Sequence, residues 1–257
     1  MEKTENSSSL IQRIITGIAL IALVAGVGYI DNRYLTWLVL GIVYLFAFYE
    51  ANSLFGLERN SLFFYATLLW VVALFYPNGD DLLVLSGVIF FGAIAYSRNT
   101  PWNNFLPFLY PTAGMLYFWT LYQEYEMLSL IWLVAIVALT DIGAFVVGKT
   151  IGKHPFSPTS PKKTWEGVIG GVVIATAGSF WMGVDDYGLP LAITVSLLVS
   201  VASIFGDLFE SYLKRKAGVK DSGHVLPGHG GILDRIDGYL FGSVVMLVLL
   251  RGLAGLI

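Results

Sequence analysis

The chain contains no cysteine, so disulfides, thiolate metal sites and cysteine nucleophiles are excluded. Charge is scarce as well: only 13% of its 257 residues are Asp, Glu, Lys or Arg. A soluble domain typically carries about 25% charged residues, so this composition cannot cover a water-facing surface. Neither H-E-x-x-H nor G-x-x-x-x-G-K-[ST] occurs, which removes the common zinc-hydrolase and Walker A readings. The net charge of −3 excludes little, because the two signs are spread very unevenly along the chain.

What the chain has in abundance is apolar sequence, 56% of all residues with a mean hydropathy of +0.71. These residues fall in long runs without helical or strand alternation, which argues for membrane spans. Nine segments are long enough or nearly so: 11–30, 35–55, 61–76, 82–97, 105–122, 128–148, 167–184, 189–213 and 236–254. The fifth carries Pro107 and Pro111, so eight is the alternative count. The first run is as long as a full span and no small-x-small cleavage site follows it, so it is expected to be a transmembrane helix, not a signal peptide. No aqueous domain is expected at either end.

The basic residues give an orientation. With nine helices and the N-terminus inside, Lys3, Arg13, Arg59, Arg98, Lys149, Lys153, Lys162, Lys163, Lys214, Arg215, Lys216, Lys220 and Arg235 all fall on the cytoplasmic side. Only Arg33 and Arg251 fall outside, and the outer loops Asn78–Asp81, Gln123–Glu126 and Asp185–Asp186 are acidic or neutral. This asymmetry follows the positive-inside rule. The expected architecture is thus an all-α polytopic membrane protein of about nine spans with a cytoplasmic N-terminus. Residues 1–130 form lipid-facing or structural helices, and residues 131–257 form a region whose two long cytoplasmic loops, 149–166 and 214–235, hold the chemistry. The aromatics of the first half (Trp37, Tyr44, Phe46, Phe48, Tyr49, Phe63, Phe64, Tyr65 and Trp70) read as lipid-facing and interface residues. The same residues are also compatible with an acyl-chain groove.

Several acids stand where they are costly. Asp141 lies inside the sixth span, where an ionised carboxylate needs a partner, water or a cation. A protonated acid in an interhelical hydrogen bond is the alternative. At the end of the eighth span Asp207, Glu210 and Lys214 share one helix face by their spacing. For Glu210, an ion pair with Lys214 and a role in a site are both open. Asp207 lacks such a local partner apart from Ser211, and Gly206 beside it admits another backbone or a ligand, so Asp207 is a metal-ligand candidate. Asp234 and Asp237 stand three apart at the start of the last helix with Arg235 between them. Before them, His229-Gly230-Gly231 can turn tightly and offer amide donors to an anion. Carboxylates set among cations suit Mg²⁺ completed by phosphate oxygens, hence phosphoryl or nucleotidyl transfer. His224 and His229 are poor zinc candidates without cysteine or a metal-binding spacing. In the other loop, Ser160-Pro161-Lys162-Lys163-Thr164 offers two ammoniums and two hydroxyls, either as a phosphate-binding loop or as a solvated connector. Gly167 and Gly171 read as helix-packing glycines.

Three elements together resemble a known family. They are Ser211-x-Leu213-Lys214-Arg215, Lys220-Asp221-x-Gly223 and Leu226-Pro227-x-His229-Gly230-Gly231-x-x-Asp234-Arg235-x-Asp237. They resemble the signature of the phosphatidate cytidylyltransferases, or CDP-diacylglycerol synthases, and no position departs from it. Ser160–Gly167 and Asp141-x-Gly143 are similar to the same family's C-terminal half.

The resemblance implies Mg²⁺-dependent transfer of a cytidylyl group from CTP to phosphatidic acid, with Asp207 and Asp234 on the metal and Asp237 and Asp141 assisting. A second cation beside Mg²⁺ stays open. Lys163, Lys214, Arg215, Lys220 and Arg235 are then expected to neutralise phosphates, and His229, Gly230 and Gly231 to contact pyrophosphate. Ser160, Lys162 and Thr164 are expected to bind substrate from the other loop. The expected partners are CTP, phosphatidic acid, the lipid bilayer and a second copy of the chain, with no nucleic acid. The expected location is a bacterial inner membrane with the active site cytoplasmic. A CTP enzyme with another lipid acceptor is the nearest rival. A transporter is disfavoured because every key charge except Asp141 clusters at one face.

Overall fold

The computed structural model describes residues 2–57, 60–98 and 100–253. Arg59, one of the basic residues counted above, lies outside them, as do the side chains of Lys3 and Arg13. The described chain is mostly helical: α1 (Glu2–Ile30), α2 (Arg33–Leu54), α3 (Asn60–Phe75), α4 (Asp81–Ser97) and α5 (Ala113–Ile151). A hairpin of β1 (Pro155–Ser157) and β2 (Ser160–Thr164) follows, then α6 (Trp165–Ser179), α7 (Val184–Lys216) and α8 (Leu233–Leu253).

The expected all-α class needs one correction. The proline-rich loop forms a two-stranded antiparallel ribbon pairing Pro155 with Thr164 and Ser157 with Ser160. In a two-stranded ribbon each strand has one unpaired edge, the kind of position where proline is tolerated.

Three apolar stretches are long enough to cross a membrane: Arg33–Leu54, Trp102–Ile151 and Trp165–Lys216; Ile14–Ile30, Ser61–Phe75 and Asp81–Ser97 are shorter. The two longest are broken. Within α5, Glu126 leaves the helical region at φ 60°, ψ −171°. Ser129 Oγ donates to the carbonyl of Leu121 at 3.2 Å, a pair that a straight helix would hold about 12 Å apart. The chain therefore folds back at Glu126; the second arm of α5 overlaps the expected sixth span, while the expected fifth span is regular only from Ala113, its start carrying Pro107, Pro111 and a non-helical Tyr110 (φ −150°, ψ 115°). Gly188 (φ 73°, ψ 160°) interrupts α7 just ahead of Pro190, matching the expected start of the eighth span.

Small residues set the closest crossings. A Cβ on Gly171 would stand 2.7 Å from the carbonyl of Thr140, and one on Gly167 2.8 Å from that of Ala144. This is the packing role read from the G-x-x-x-G spacing. Buried hydroxyls tie α5, α6 and α7 together: Thr140 to Ser200 at 2.7 Å, Trp132 Nε1 to Ser196 at 3.2 Å, and Ser179 to Ser196 at 3.1 Å.

The aromatics of the first half divide. Phe46, Tyr49, Phe64 and Tyr65 are exposed, but Tyr44, Phe48 and Trp70 are buried in the core, against the lipid-facing expectation. Their partners explain it: Tyr44 hydroxyl meets Thr112 Oγ1 at 3.0 Å, Phe48 stacks edge-on against Phe108, and Trp37 and Trp70 each donate to the other's carbonyl. These rings fasten α2 to α3 and to the start of α5. Hydrophobic side chains such as Ile21, Phe64, Ile89, Phe145 and Val173 stand exposed on the outer surface.

Polar contacts gather at the two ends. One end brings Asp80, Glu124 and Arg251 together, with Tyr122 donating to Asp31 nearby in the chain's turn from α1 to α2. The other end gathers the β-hairpin, the end of α7, the start of α8 and Glu50 of α2.

Candidate active site at one end of the bundle

The hairpin is aimed by local chemistry. Glu166, in the first turn of α6, accepts from the amides of Lys153 and His154 and pairs with His154 Nδ1 at 2.5 Å. The His154 hydrogen bond is the largest cause holding the Glu166 carboxyl at about 2, with backbone donors, among them the Lys153 amide, adding to it. Thr164 Oγ1 caps α6 by accepting from the Gly167 amide. Phe156 packs edge-on against Trp165 and reaches Phe205 of α7. β2 carries Lys162 and Lys163 side by side, and Lys163 Nζ pairs with Asp207 of α7.

A cleft of about 480 Å³ opens here between α5, α6, α7 and β2, lined among others by Asp141, Gly148, Lys162, Lys163, Thr164 and Asp207. Lys162, Lys163 and Thr164 of β2 thus line the same cleft as Asp207 and Asp141. Asp237 lies within electrostatic reach of Asp207, Asp141 and Lys163. α7 and α8 meet so closely at Gly206 that a Cβ there would stand 2.4 Å from the carbonyl of Asp237. Gly206 thus admits another backbone, one of the two roles proposed for it.

A second network adjoins the first. Lys214 Nζ lies 2.5 Å from Glu210 Oε2 and 2.6 Å from Asp234 Oδ1. Glu210 is 0% exposed and Lys214 only 12%, so this bridge between α7 and α8 is largely sealed from solvent. Asp234 Oδ2 also accepts from the amides of Ser222 (3.0 Å) and Gly231 (2.9 Å). Burial pushes the Asp234 carboxyl up, but its contacts with Glu210, Lys214 and the Gly231 amide outweigh that and hold it at about 2. These hydrogen bonds fix the Asp234 carboxylate in one orientation.

The segment between Lys216 and Leu233 is shaped by its turn residues. Leu226-Pro227-Gly228-His229 closes with the His229 amide on the Leu226 carbonyl at 2.9 Å, with Gly228 at φ 76°. Proline at the second position and a positive-φ glycine at the third are the type II pattern. Arg235 clamps this turn through Nε and Nη2, both on the His229 carbonyl. Arg215 similarly holds the carbonyl of Val219 at 3.1 Å. Lys220 is exposed, and Ser160 opens β2 opposite Ser157.

The sequence-derived set is therefore divided. Asp141, Lys162, Lys163, Thr164 and Asp207 share the cleft, with Asp237 within electrostatic reach of three of them. Lys214, Asp234 and Gly231 share the adjoining network, while Arg215 and Arg235 brace backbone carbonyls. The Gly231 amide, expected to face an anion, donates to Asp234.

One residue was missed. Glu50, 2% exposed, reaches over from α2 and accepts from Ser222 Oγ (2.9 Å) and the amides of Ile232 (3.0 Å) and Leu233 (2.8 Å). Its signal was present: Glu50 is the lone charged residue of the expected span 35–55, and an acid at membrane depth is a functional candidate by default.

Among the described residues no three His, Asp or Glu groups stand in metal-ligating arrangement. The donor chemistry nonetheless suits Mg²⁺, which takes one or two protein carboxylates and completes its shell with water and phosphate oxygens. Asp207 and Asp141, from two helices, line the same cleft.

Fold and site define a class: an apolar helical bundle with carboxylates and lysines gathered around a cleft at one end. The profile of the cytidylyltransferase family matches residues 11–253. A phosphatidate cytidylyltransferase of Helicobacter pylori strain J99 is 44% identical over 93% of this chain and 91% of its own length. Proteins of the same name from Brucella suis and Thermotoga maritima are each 33% identical, covering 92% and 84% of this chain. The chain belongs to the cytidylyltransferase family, among its phosphatidate cytidylyltransferases.

Proposed function

We propose that the chain transfers a cytidylyl group from CTP to phosphatidic acid, forming CDP-diacylglycerol and pyrophosphate. The observation that carries this reading is the cleft where Lys163 of the hairpin meets Asp207 of α7 beside Asp141. It lies at one polar end of a bundle whose outer surface is apolar. A lipid phosphate and a water-soluble triphosphate can meet only at such a boundary.

A phosphatidate oxygen attacks the α-phosphorus of CTP in line, and the bond to the bridging oxygen of pyrophosphate breaks. The attacking phosphate is already ionised, so no general base is required. Asp207 and Asp141, with Asp237 and Asp234, would hold Mg²⁺ and any second cation; bound there, Mg²⁺ would supply positive charge to phosphate oxygens. Lys163 exchanges Asp207 for substrate phosphate, while Lys162 and Lys220 contribute charge from more exposed positions. Lys214 keeps Asp234 in place, and Arg235 and Arg215 keep the 215–235 turns in shape. Catalysis here is positioning plus charge stabilisation.

The nine segments expected from hydropathy overlap α1 to α4, the two arms of α5, and α6 to α8, which supports this reading. With the site end cytoplasmic, nine crossings of a bacterial inner membrane follow, and a homodimer is compatible with the apolar outer surface. An assay in detergent micelles with phosphatidic acid and CTP radiolabelled at the α-phosphate tests the reaction. Label must enter the lipid from α-labelled CTP and leave as pyrophosphate from γ-labelled CTP. Label entering only a different lipid acceptor would refute the choice of substrate.

A further inference from the structure

Glu50 lies in the N-terminal half, more than 170 residues from the groups it binds. It is buried, and both of its oxygens are occupied: Oε1 by the Ile232 amide, Oε2 by the Leu233 amide and Ser222 Oγ. Those two amides open α8, where helical geometry leaves N–H groups without intrahelical acceptors. The residue immediately following is Asp234, and Asp237 stands one turn further. Ser222 binds both carboxylates at once, its hydroxyl on Glu50 and its amide on Asp234.

Two glycines report how tightly this is built. A Cβ on Gly223 would stand 2.3 Å from Glu50 Oε1, and one on Gly231 would stand 2.1 Å from Ser222 Oγ and 2.5 Å from Glu50 Oε2. The loop closes around the Glu50 carboxylate at two points where an added side chain would have to displace Glu50 or Ser222.

We propose that Glu50 is a positioning residue, an anionic clasp from α2 that fixes the Ser222–Leu233 turn and so aims Asp234 and Asp237 for cytidylyl transfer. Glu50 touches no substrate. It acts by setting where α8 begins and how its first turn is rotated. The catalytic part of the proposal rests on the CTP reading above; the structural part does not.

The test uses the intact chain in detergent as wild type, Glu50→Gln, Ser222→Ala and the double variant. Glutamine keeps shape and volume but has one acceptor oxygen, so either Ile232 or Leu233 must face an NH₂ group. Peptide-resolved hydrogen exchange should then show loss of protection confined to residues 222–235. The kcat should fall by about tenfold or more with the KM for phosphatidic acid held within about twofold. Ser222→Ala should lose less, and the double variant should be little worse than Glu50→Gln alone, because the two share one network. A Glu50→Gln chain with wild-type kcat overturns the proposal. Loss of protection spread evenly over all helices overturns it too, since that marks general destabilisation. If even the wild type makes no CDP-diacylglycerol, the cytidylyl reading fails, and the exchange comparison still decides whether Glu50 holds the loop.

Discussion

The two polar ends of the bundle solve the same problem in different ways. At one, Arg251 reaches from the last turn of α8 to Asp80 with a two-pronged contact at 2.6 and 3.0 Å, and to Glu124 at the turn of α5. One guanidinium answers two carboxylates from different elements, and Arg33 stays close by over the Trp119 ring. At the other end, carboxylates from α2, α5, α7 and α8 converge, and Lys163 and Lys214 each stand between elements. The first end is a fastener. The second keeps charge around an open cleft, an arrangement that makes sense when a charged ligand completes it.

Breaking either end should expose that difference. The largest effect is expected from Asp207→Asn, which removes the anionic partner of Lys163. Turnover should drop by about 10²- to 10³-fold with melting temperature little changed, read by single-turnover product formation. Lys214→Met comes next: it strands the buried Glu210 and Asp234 together, a loss of about 3–5 kcal/mol of stability by detergent-solubilised denaturation. Arg251→Met should cost less, about 1–3 kcal/mol, because Arg251 is itself 35% exposed, while activity per folded molecule stays at the wild-type level. The smallest effect is on pH. Glu166 titrates near 2 in the fold against 4.5 unfolded, so its stabilisation of the hairpin is complete above about 4.5 and is lost as pH falls toward 2. Protection factors of the Lys153 and His154 amides, taken against the intrinsic exchange rate at each pH, should fall over that interval in the wild type and lose this dependence in Glu166→Gln.

The helical, apolar character was legible because hydropathy sets it, and even the turn inside α5 at Glu126 was marked by the polar run Gln123–Glu126. Arg251, an exception to the charge asymmetry, is explained by its two acidic partners, which no local pattern announces. The cleft residues were found because acids at membrane depth and clustered lysines are unusual in themselves. The hairpin was missed because its pairing depends on Glu166 holding His154 and on Phe156 meeting Phe205, contacts set by the tertiary fold. Gly231 was read as offering its amide to an anion; in the structure that amide donates to the Asp234 carboxylate, a partner, three residues on, that spacing alone did not name. Glu50 was missed because its partners lie at the far end of the sequence.

Hydrogen-exchange footprinting of the wild-type chain with CTP and Mg²⁺ tests most directly which end handles the nucleotide. The account predicts added protection at peptides covering 160–165 and 220–237 and none at 78–82 or 123–127. Protection at the Arg251 end, with none around Lys163 and Asp207, would contradict it.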